Sequence, residues 1–107
     1  MRAMDNSSEA TRVEAGAGML DDMSPCWFTK VSLEKLNMAS FCNCVAGQLY
    51  GTYDKGFIAL GLDLYLELEY GFDSSTDPYS LTPYWRREIE ARLVAVANQE
   101  ALESERV

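Results

Sequence analysis

Apolar residues near the N-terminus recur at the spacing of an α-helix. Val13, Ala17 and Leu20 fall at i, i+4 and i+7, which places them on one helical face. This stripe predicts an amphipathic helix over residues 7–23 that packs against a core. Asn6 belongs to a residue type favoured at helix N-caps, so it is the predicted cap of this helix.

The C-terminal third of the chain carries a longer version of the same pattern. Trp85, Ile89, Leu93 and Val96 fall at i, i+4, i+8 and i+11. One face of a predicted helix therefore carries four apolar side chains, which we expect to be buried. Thr82 is followed by a proline, the order typical of an N-cap and the first helical position, so Thr82 is the predicted cap.

The segment between these two helices is divided by glycines. Trp27 is the predicted anchor of an irregular connector. Beyond it, two short helices are predicted between residues 42 and 62, with a break at residues 54–56. Gly47 and Gly51 carry no side chain, so we expect another helix to approach closely at these positions.

Residues 62–70 fit two interpretations. Leucines at positions 62, 64, 66 and 68 alternate with other residues, which is the period of a β-strand. Leucine and glutamate are nevertheless strong helix formers. Gly71 followed by Phe72 is also typical of a helix end, where glycine adopts a left-handed conformation and the next apolar residue folds back. We interpret the segment as a helix, with a strand as the alternative.

Together these patterns predict an all-α fold of four or five short helices. Residues 7–97 form one helical domain, with a flexible N-terminus at residues 1–6 and a flexible, acidic C-terminus at residues 98–107. A chain of 107 residues buries roughly two-thirds of its unfolded surface, enough to fold without metal or disulfides.

The charge of the chain narrows the classes of partner. Lys and Arg number 9 against 17 Asp and Glu, with no histidine, for a formal net charge of −8. Nucleic acids and anionic membranes are bound largely through Lys and Arg, so we expect no direct contact with either. A protein partner with a basic surface is electrostatically favoured.

The cysteines and the N-terminal composition indicate the cytoplasm. Cys26, Cys42 and Cys44 are an odd number, whereas secreted domains usually carry an even set joined in disulfides. The first 15 residues include three acidic side chains and no apolar stretch of the kind found in signal peptides. We therefore expect reduced thiols and a cytoplasmic location.

No set of residues suits catalysis or metal binding. A thiol or hydroxyl nucleophile is usually activated by a histidine, which this chain lacks. Cys42-x-Cys44 and Cys26 offer three thiols, but zinc sites normally use a wider spacing and a fourth Cys or His. We predict no catalytic residue, no metal ligand and no cofactor, and keep a small metal-stabilised module as an alternative.

Acidic and tyrosine side chains are the candidates for recognition. Acidic residues at positions 21, 22, 67, 69, 73 and 77 would imitate DNA phosphates if they shared one face. This defines a second alternative, a nucleic-acid mimic that inhibits a DNA-binding protein. Gln48, Tyr50 and Tyr53 are the predicted partner-binding residues, because tyrosine is enriched in contact surfaces and these side chains place polar tips on an apolar segment.

One resemblance bears on origin. Residues 42–56, Cys-x-Cys-Val-Ala-Gly-Gln-Leu-Tyr-Gly-x-Tyr-x-x-Gly, resemble a group of small uncharacterised proteins encoded by phages of actinobacteria. The resemblance extends over roughly residues 10–97 and includes Tyr-Gly-Phe at 70–72 and Leu-Thr-x-x-Trp-Arg at 81–86. It implies a phage protein made in bacterial cytoplasm and supports a helix at 62–70, and it implies no activity.

The sequence thus predicts a non-enzymatic phage accessory protein. We expect it to act in the host cytoplasm by binding a host or phage protein, and so to occlude or redirect that partner. The identity of the partner and the oligomeric state stay open, self-association included.

Overall fold

The structure is a computed structural model that describes residues 8–73 and 77–105, with side chains described as far as residue 100. Within these ranges it contains helices and no β-strand. The elements in chain order are α1 (Glu9–Met23), a 3-10 helix (Trp27–Lys30), α2 (Val45–Tyr50), α3 (Tyr53–Ala59), α4 (Leu64–Glu69), a second 3-10 helix (Pro78–Leu81) and α5 (Thr82–Glu105). The predicted small all-α fold is confirmed.

Helix α1 follows its predicted stripe. Val13, Ala17 and Leu20 are fully buried. The N-cap is Ser8, whose hydroxyl accepts a hydrogen bond from the backbone N–H of Thr11 at 3.2 Å. The predicted cap, Asn6, lies outside the described residues. The cap is Ser8 because α1 begins at Glu9, so the Ser8 hydroxyl reaches the N–H of the third helical residue.

Helices α1 and α5 run parallel to each other. The Ser80 hydroxyl, just before α5, donates to the Glu9 carboxylate at 2.8 Å, and Arg92 of α5 donates to the Asp21 carboxylate at 2.9 Å. Both pairs are separated by 71 residues, so the two helices keep one register along their contact. In that register the last residue of α1, Met23, lies level with Val94.

Three aromatic side chains form the centre of the core. Trp27 and Trp85 pack edge to face with ring centroids 5.8 Å apart, and Phe72 lies 5.2 Å from Trp85. All three are almost fully buried. The prediction that Trp27 anchors the connector is therefore confirmed.

The α2–α3 pair differs from its predicted form. The break between the helices lies at Gly51 and Thr52, and not at residues 54–56, because Gly51 adopts a φ of +104° and the Thr52 hydroxyl caps α3. The close helix approach occurs at Gly56. A Cβ there would lie 2.7 Å from the Cβ of Ala46 in α2.

The two glycines predicted to allow that approach have other roles. Gly47 faces the backbone of a loop, because a Cβ at this position would lie 2.5 Å from the carbonyl oxygen of Phe41. Gly51 ends α2 and has only the Lys55 side chain within 4 Å of an added Cβ, at 3.8 Å. A glycine in the sequence therefore marks a need for space or for positive φ, and does not reveal which.

Residues 64–69 are helical, as predicted. Asp63 caps α4 by accepting hydrogen bonds from the backbone N–H groups of Tyr65 and Leu66. Gly71 has a φ of +71°, and the N–H of Phe72 donates to the carbonyl oxygen of Glu67 at 2.9 Å. This is the hydrogen-bond pattern of a Schellman motif, and it places Phe72 in the core.

Helix α5 departs from its predicted form at both ends. Thr82 already has helical backbone angles, and its hydroxyl accepts a hydrogen bond from the Met38 N–H at 2.9 Å, so it ties a loop to the helix and does not cap it. Trp85 and Ile89 are fully buried, whereas Leu93 and Val96 are 37% and 40% exposed. The apolar face of α5 extends beyond the part of the helix that packs against the rest of the protein, because α5 continues past the end of α1.

In the described part of the chain, no helix combines the length and the apolar composition needed to span a bilayer.

Candidate functional site

The predicted contact residue Gln48 has an internal role. Its amide oxygen accepts a hydrogen bond from the Ser32 N–H at 2.7 Å, and its amide nitrogen donates to the carbonyl oxygens of Ser32 and Asn43 at 3.2 and 3.0 Å. Three backbone groups of two loops are thereby held by one side chain of α2. Gln48 is half-buried, and its hydrogen-bonding capacity is directed into the protein.

Tyr50 and Tyr53 lie close to Gln48 on the α2–α3 pair and are both half-buried. The Tyr50 ring packs onto α3, since a Cβ at Gly56 would lie 3.2 Å from it. The Tyr53 hydroxyl lies inside, beside the Glu67 carboxyl. Burial and the nearby negative charges of Glu67 and Asp73 raise the pKa of Tyr53. The structure brings the three predicted residues together, and their contact with a partner stays a prediction.

Glu67 is a buried carboxyl that the sequence pattern does not reveal. Only 7% of the residue is exposed, although its neighbours Leu64 and Tyr65 project into solvent. Burial first, then a hydrogen bond and the charge of Asp73, raises the pKa of Glu67 to about 7. The Schellman motif is the feature of the sequence that could have indicated this burial. Glu67 lies five positions before Phe72, and Phe72 folds back over it.

A cleft of about 210 Å³ opens beside the carboxyl groups of Glu67 and Asp73. Its walls are mainly apolar, with one carboxylate at the edge. The lining residues are Met38, Ala39, Ser40, Phe41, Tyr53, Phe72, Asp73 and Pro78. This volume lies below the range of about 300–1,000 Å³ typical of small-molecule sites.

Three of the acidic residues proposed as a phosphate-like array are buried or already make hydrogen bonds within the protein. Asp21 pairs with Arg92 and accepts from the Trp27 indole N–H at 2.9 Å; the hydrogen bond from Arg92 is the main reason that the pKa of Asp21 is lowered. Glu67 is buried, and Asp77 caps a 3-10 helix. The mimic alternative gains no support from these three carboxylates.

The three cysteine thiols differ in their exposure to solvent. Cys44 is buried, and its sulfur accepts a hydrogen bond from the Gly47 N–H at 3.2 Å at the start of α2, while burial raises the pKa of this thiol. Cys26 and Cys42 are exposed. Within residues 8–73 and 77–105, no three His, Cys, Asp or Glu side chains come together in a group that could hold a metal ion.

Three large apolar side chains are exposed on either side of the turn from α3 to α4. Ile58 and Leu64 are each 78% exposed and Tyr65 is 69% exposed. The turn between them is held by hydrogen bonds from Gly61 to Ile58 and from Leu62 to Phe57. We call Ile58, Leu64 and Tyr65 the apolar corner. The alternation of residues 62–68 hides this surface, because it suggests that the even-numbered leucines share one buried face.

No protein-family model, no curated protein and no solved structure matches this chain.

Proposed function

We propose that this is a non-enzymatic, phage-encoded accessory protein that binds another protein in the bacterial cytoplasm. The observation that supports binding is the apolar corner, where three large side chains are 69–78% exposed within eight consecutive residues. Scattered apolar residues are normal on a protein surface, whereas grouped ones mark contact sites. A tyrosine among them adds the side chain type most often found in binding hot spots.

The charges around the apolar corner define the chemistry of the partner. Asp54 and Glu69 lie four residues from Ile58 and Tyr65 respectively, on the same helical faces, and Asp63 lies between the helices. All three carboxylates are exposed. We infer a partner, of host or phage origin, whose contact surface has an apolar centre rimmed by lysine and arginine side chains. Binding there would cover or redirect that surface.

Gln48, Tyr50 and Tyr53 are the second part of the proposal. They belong to the helix pair that carries Ile58, so a partner seated on the apolar corner could extend to the half-buried edge of Tyr50. Gln48 would then act indirectly, by fixing the loops at Ser32 and Asn43 against α2.

The proposal is tested by co-purification from a mycobacterial host. Tagged wild-type protein, Leu64→Glu and a matched control, Tyr79→Glu, are expressed and isolated at low and at moderate salt. Tyr79 is also exposed, at 58%, and lies outside the apolar corner. Any protein recovered with the wild type is then purified, and its affinity for each variant is measured by titration calorimetry.

We expect one stoichiometric partner that Tyr79→Glu retains and that Leu64→Glu binds at least tenfold more weakly. Loss of the partner at moderate salt in the wild type would instead favour the electrostatic mimic. Recovery of no partner at either salt, or equal binding by Leu64→Glu and the wild type, would overturn the proposal.

A further inference from the structure

Helix α5 is exposed to solvent over residues 93–100. The α1–α5 register ends with Met23 level with Val94, so α5 continues for eleven residues beyond α1, to Glu105. Every residue from Leu93 to Glu100 is exposed. Helices in proteins owe most of their stability to the packing of an apolar face, and isolated helices of about 12–15 residues are marginal in water.

The exposed helix is apolar on all sides at its start. Residues 93–97 read Leu-Val-Ala-Val-Ala, and five consecutive residues cover the full circumference of an α-helix. Leu93, Val94 and Val96 are 37%, 58% and 40% exposed, and Met23, on the same level, is 51% exposed. A helix that is apolar all round is normally buried. This surface, Met23 with Leu93, Val94, Val96 and Ala97, is called the α5 seam below.

The charges along α5 indicate what covers the seam. Residues 86–92 contain three of the nine basic residues of the chain, Arg86, Arg87 and Arg92. Residues 93–105 contain three glutamates and no basic residue. The helix therefore runs from a mixed, arginine-rich stretch to a purely acidic one. A second α5 in the opposite direction would match each stretch with its complement, whereas a parallel one would place like charges together.

We propose that two copies of this chain associate through the α5 seam, with the helices antiparallel and a two-fold axis near Val96. This arrangement places Arg92 of one copy level with Glu100 of the other, because each lies four residues from the axis. The stripe that buries Trp85 and Ile89 within one copy continues as Leu93 and Val96 into the contact between copies. A two-fold contact of this kind uses the same surface on both molecules. The seam is separate from the apolar corner, so the proposal stands apart from the proposed function.

Cysteine cross-linking tests both the face and the direction. In a Cys26→Ser, Cys42→Ser background, which removes the exposed thiols, Val96→Cys is expected to form a disulfide dimer under mild oxidation. Ala95→Cys lies on the side of α5 opposite the centre of the seam, and Glu100→Cys lies on the same face as Val96, about 6 Å along the helix from the axis. Neither is expected to cross-link efficiently. Efficient cross-linking of Glu100→Cys as well as Val96→Cys would indicate parallel helices and overturn the antiparallel arrangement.

Sedimentation equilibrium tests self-association itself. The wild type is expected to reach twice its monomer mass of 12.0 kDa, and the double variant Leu93→Glu, Val96→Glu to remain at the monomer mass. Leu64→Glu is the matched control and is expected to dimerise like the wild type, which separates this test from that of the proposed function. Circular dichroism verifies that the globule of each variant stays folded. A wild type that remains monomeric up to millimolar concentration overturns the proposal.

Discussion

Gly16 of α1 lies directly against the backbone carbonyl of Tyr70 at the end of α4, and a Cβ at position 16 would collide with that carbonyl oxygen. The neighbouring Gly71 completes the contact from the other side, because a Cβ there would lie 2.7 Å from the Cα of Val13. Two glycines thus hold α1 and the end of α4 backbone to backbone. The same junction positions the Gly71 carbonyl, which accepts a hydrogen bond from the Trp85 indole at 2.7 Å.

Gly16→Ala is expected to destabilise the protein, whereas Gly18→Ala is expected to stabilise it. An added Cβ at position 16 forces α1 away from backbone that cannot rotate aside, which costs roughly 3 kcal/mol. An added Cβ at position 18 meets nothing within 4 Å, so the higher helix propensity of alanine raises the free energy of unfolding by up to about 1 kcal/mol. Urea unfolding measures both. Equal effects of the two substitutions would contradict the close contact at Gly16.

Trp85→Phe is expected to cost more stability than Trp27→Phe. Both indoles are fully buried, so the lost volume is similar. The Trp85 N–H bonds the Gly71 carbonyl within the core, whereas the Trp27 N–H bonds Asp21, whose side chain is 43% exposed and also paired with Arg92. Loss of the first bond leaves a buried acceptor unsatisfied, an additional cost of about 1–3 kcal/mol. Thermal and urea unfolding of the two variants should differ in this direction, and the reverse order would be inconsistent with the Trp85–Gly71 bond.

Gln48→Ala is expected to lower the free energy of unfolding by about 1–3 kcal/mol, because three backbone groups lose their partner at once. Gln48→Glu is expected to be at least as damaging, since a second carboxylate oxygen replaces the amide donor that faces two carbonyl oxygens. Gln99→Ala, at an exposed position of α5, is the control and should stay within about 0.5 kcal/mol of the wild type. If chemical denaturation shows no change for Gln48→Ala, the internal role of this side chain is wrong.

The helices that the sequence predicts best are those in which local signals agree with burial. At α1, the spacing of Val13, Ala17 and Leu20 coincides with the buried face. At α4, the glycine and the folded-back Phe72 decide between two periodicities, because a left-handed residue can end a helix and has no such role in a strand. These signals lie within a few residues of the element that they define, and so they can be read from one sequence.

The features that the sequence does not reveal depend on neighbours distant along the chain. Thr82 is a residue type favoured at helix N-caps, yet its hydroxyl accepts a hydrogen bond from the backbone N–H of Met38, 44 residues away. Leu93 and Val96 continue a buried stripe, but α1 ends at Met23, level with Val94, and does not extend along Val96. Gln48 has the polar side chain of a contact residue, but its amide group is hydrogen-bonded to the backbone of loops at residues 32 and 43. Position in the fold, and not residue type, decides the role of each of these side chains.

The stability of the protein is expected to depend on the protonation of Glu67. The folded state raises the pKa of this carboxyl to about 7, from an ordinary value of 4.5, because the charged form would be buried next to Asp73. Between these two pH values the folded state holds a proton that the unfolded chain has released. The contribution of Glu67 to the free energy of unfolding is therefore favourable at acid pH, falls as the pH rises from about 4.5 to about 7, and is lost above that.

Glu67→Gln replaces the protonated carboxyl by a neutral group of the same shape and removes this dependence. We expect the variant to match the wild type near pH 4 and to exceed its free energy of unfolding at pH 8 by up to about 3 kcal/mol. Glu69→Gln, at an exposed position of the same helix, is the control. Urea unfolding at closely spaced pH values yields the difference between each variant and the wild type, in which the opposite contribution of Asp21, whose pKa is lowered, cancels. A difference for Glu67→Gln that is as flat as that for Glu69→Gln between pH 4 and 8 would show that the Glu67 carboxyl is solvated and not buried beside Asp73.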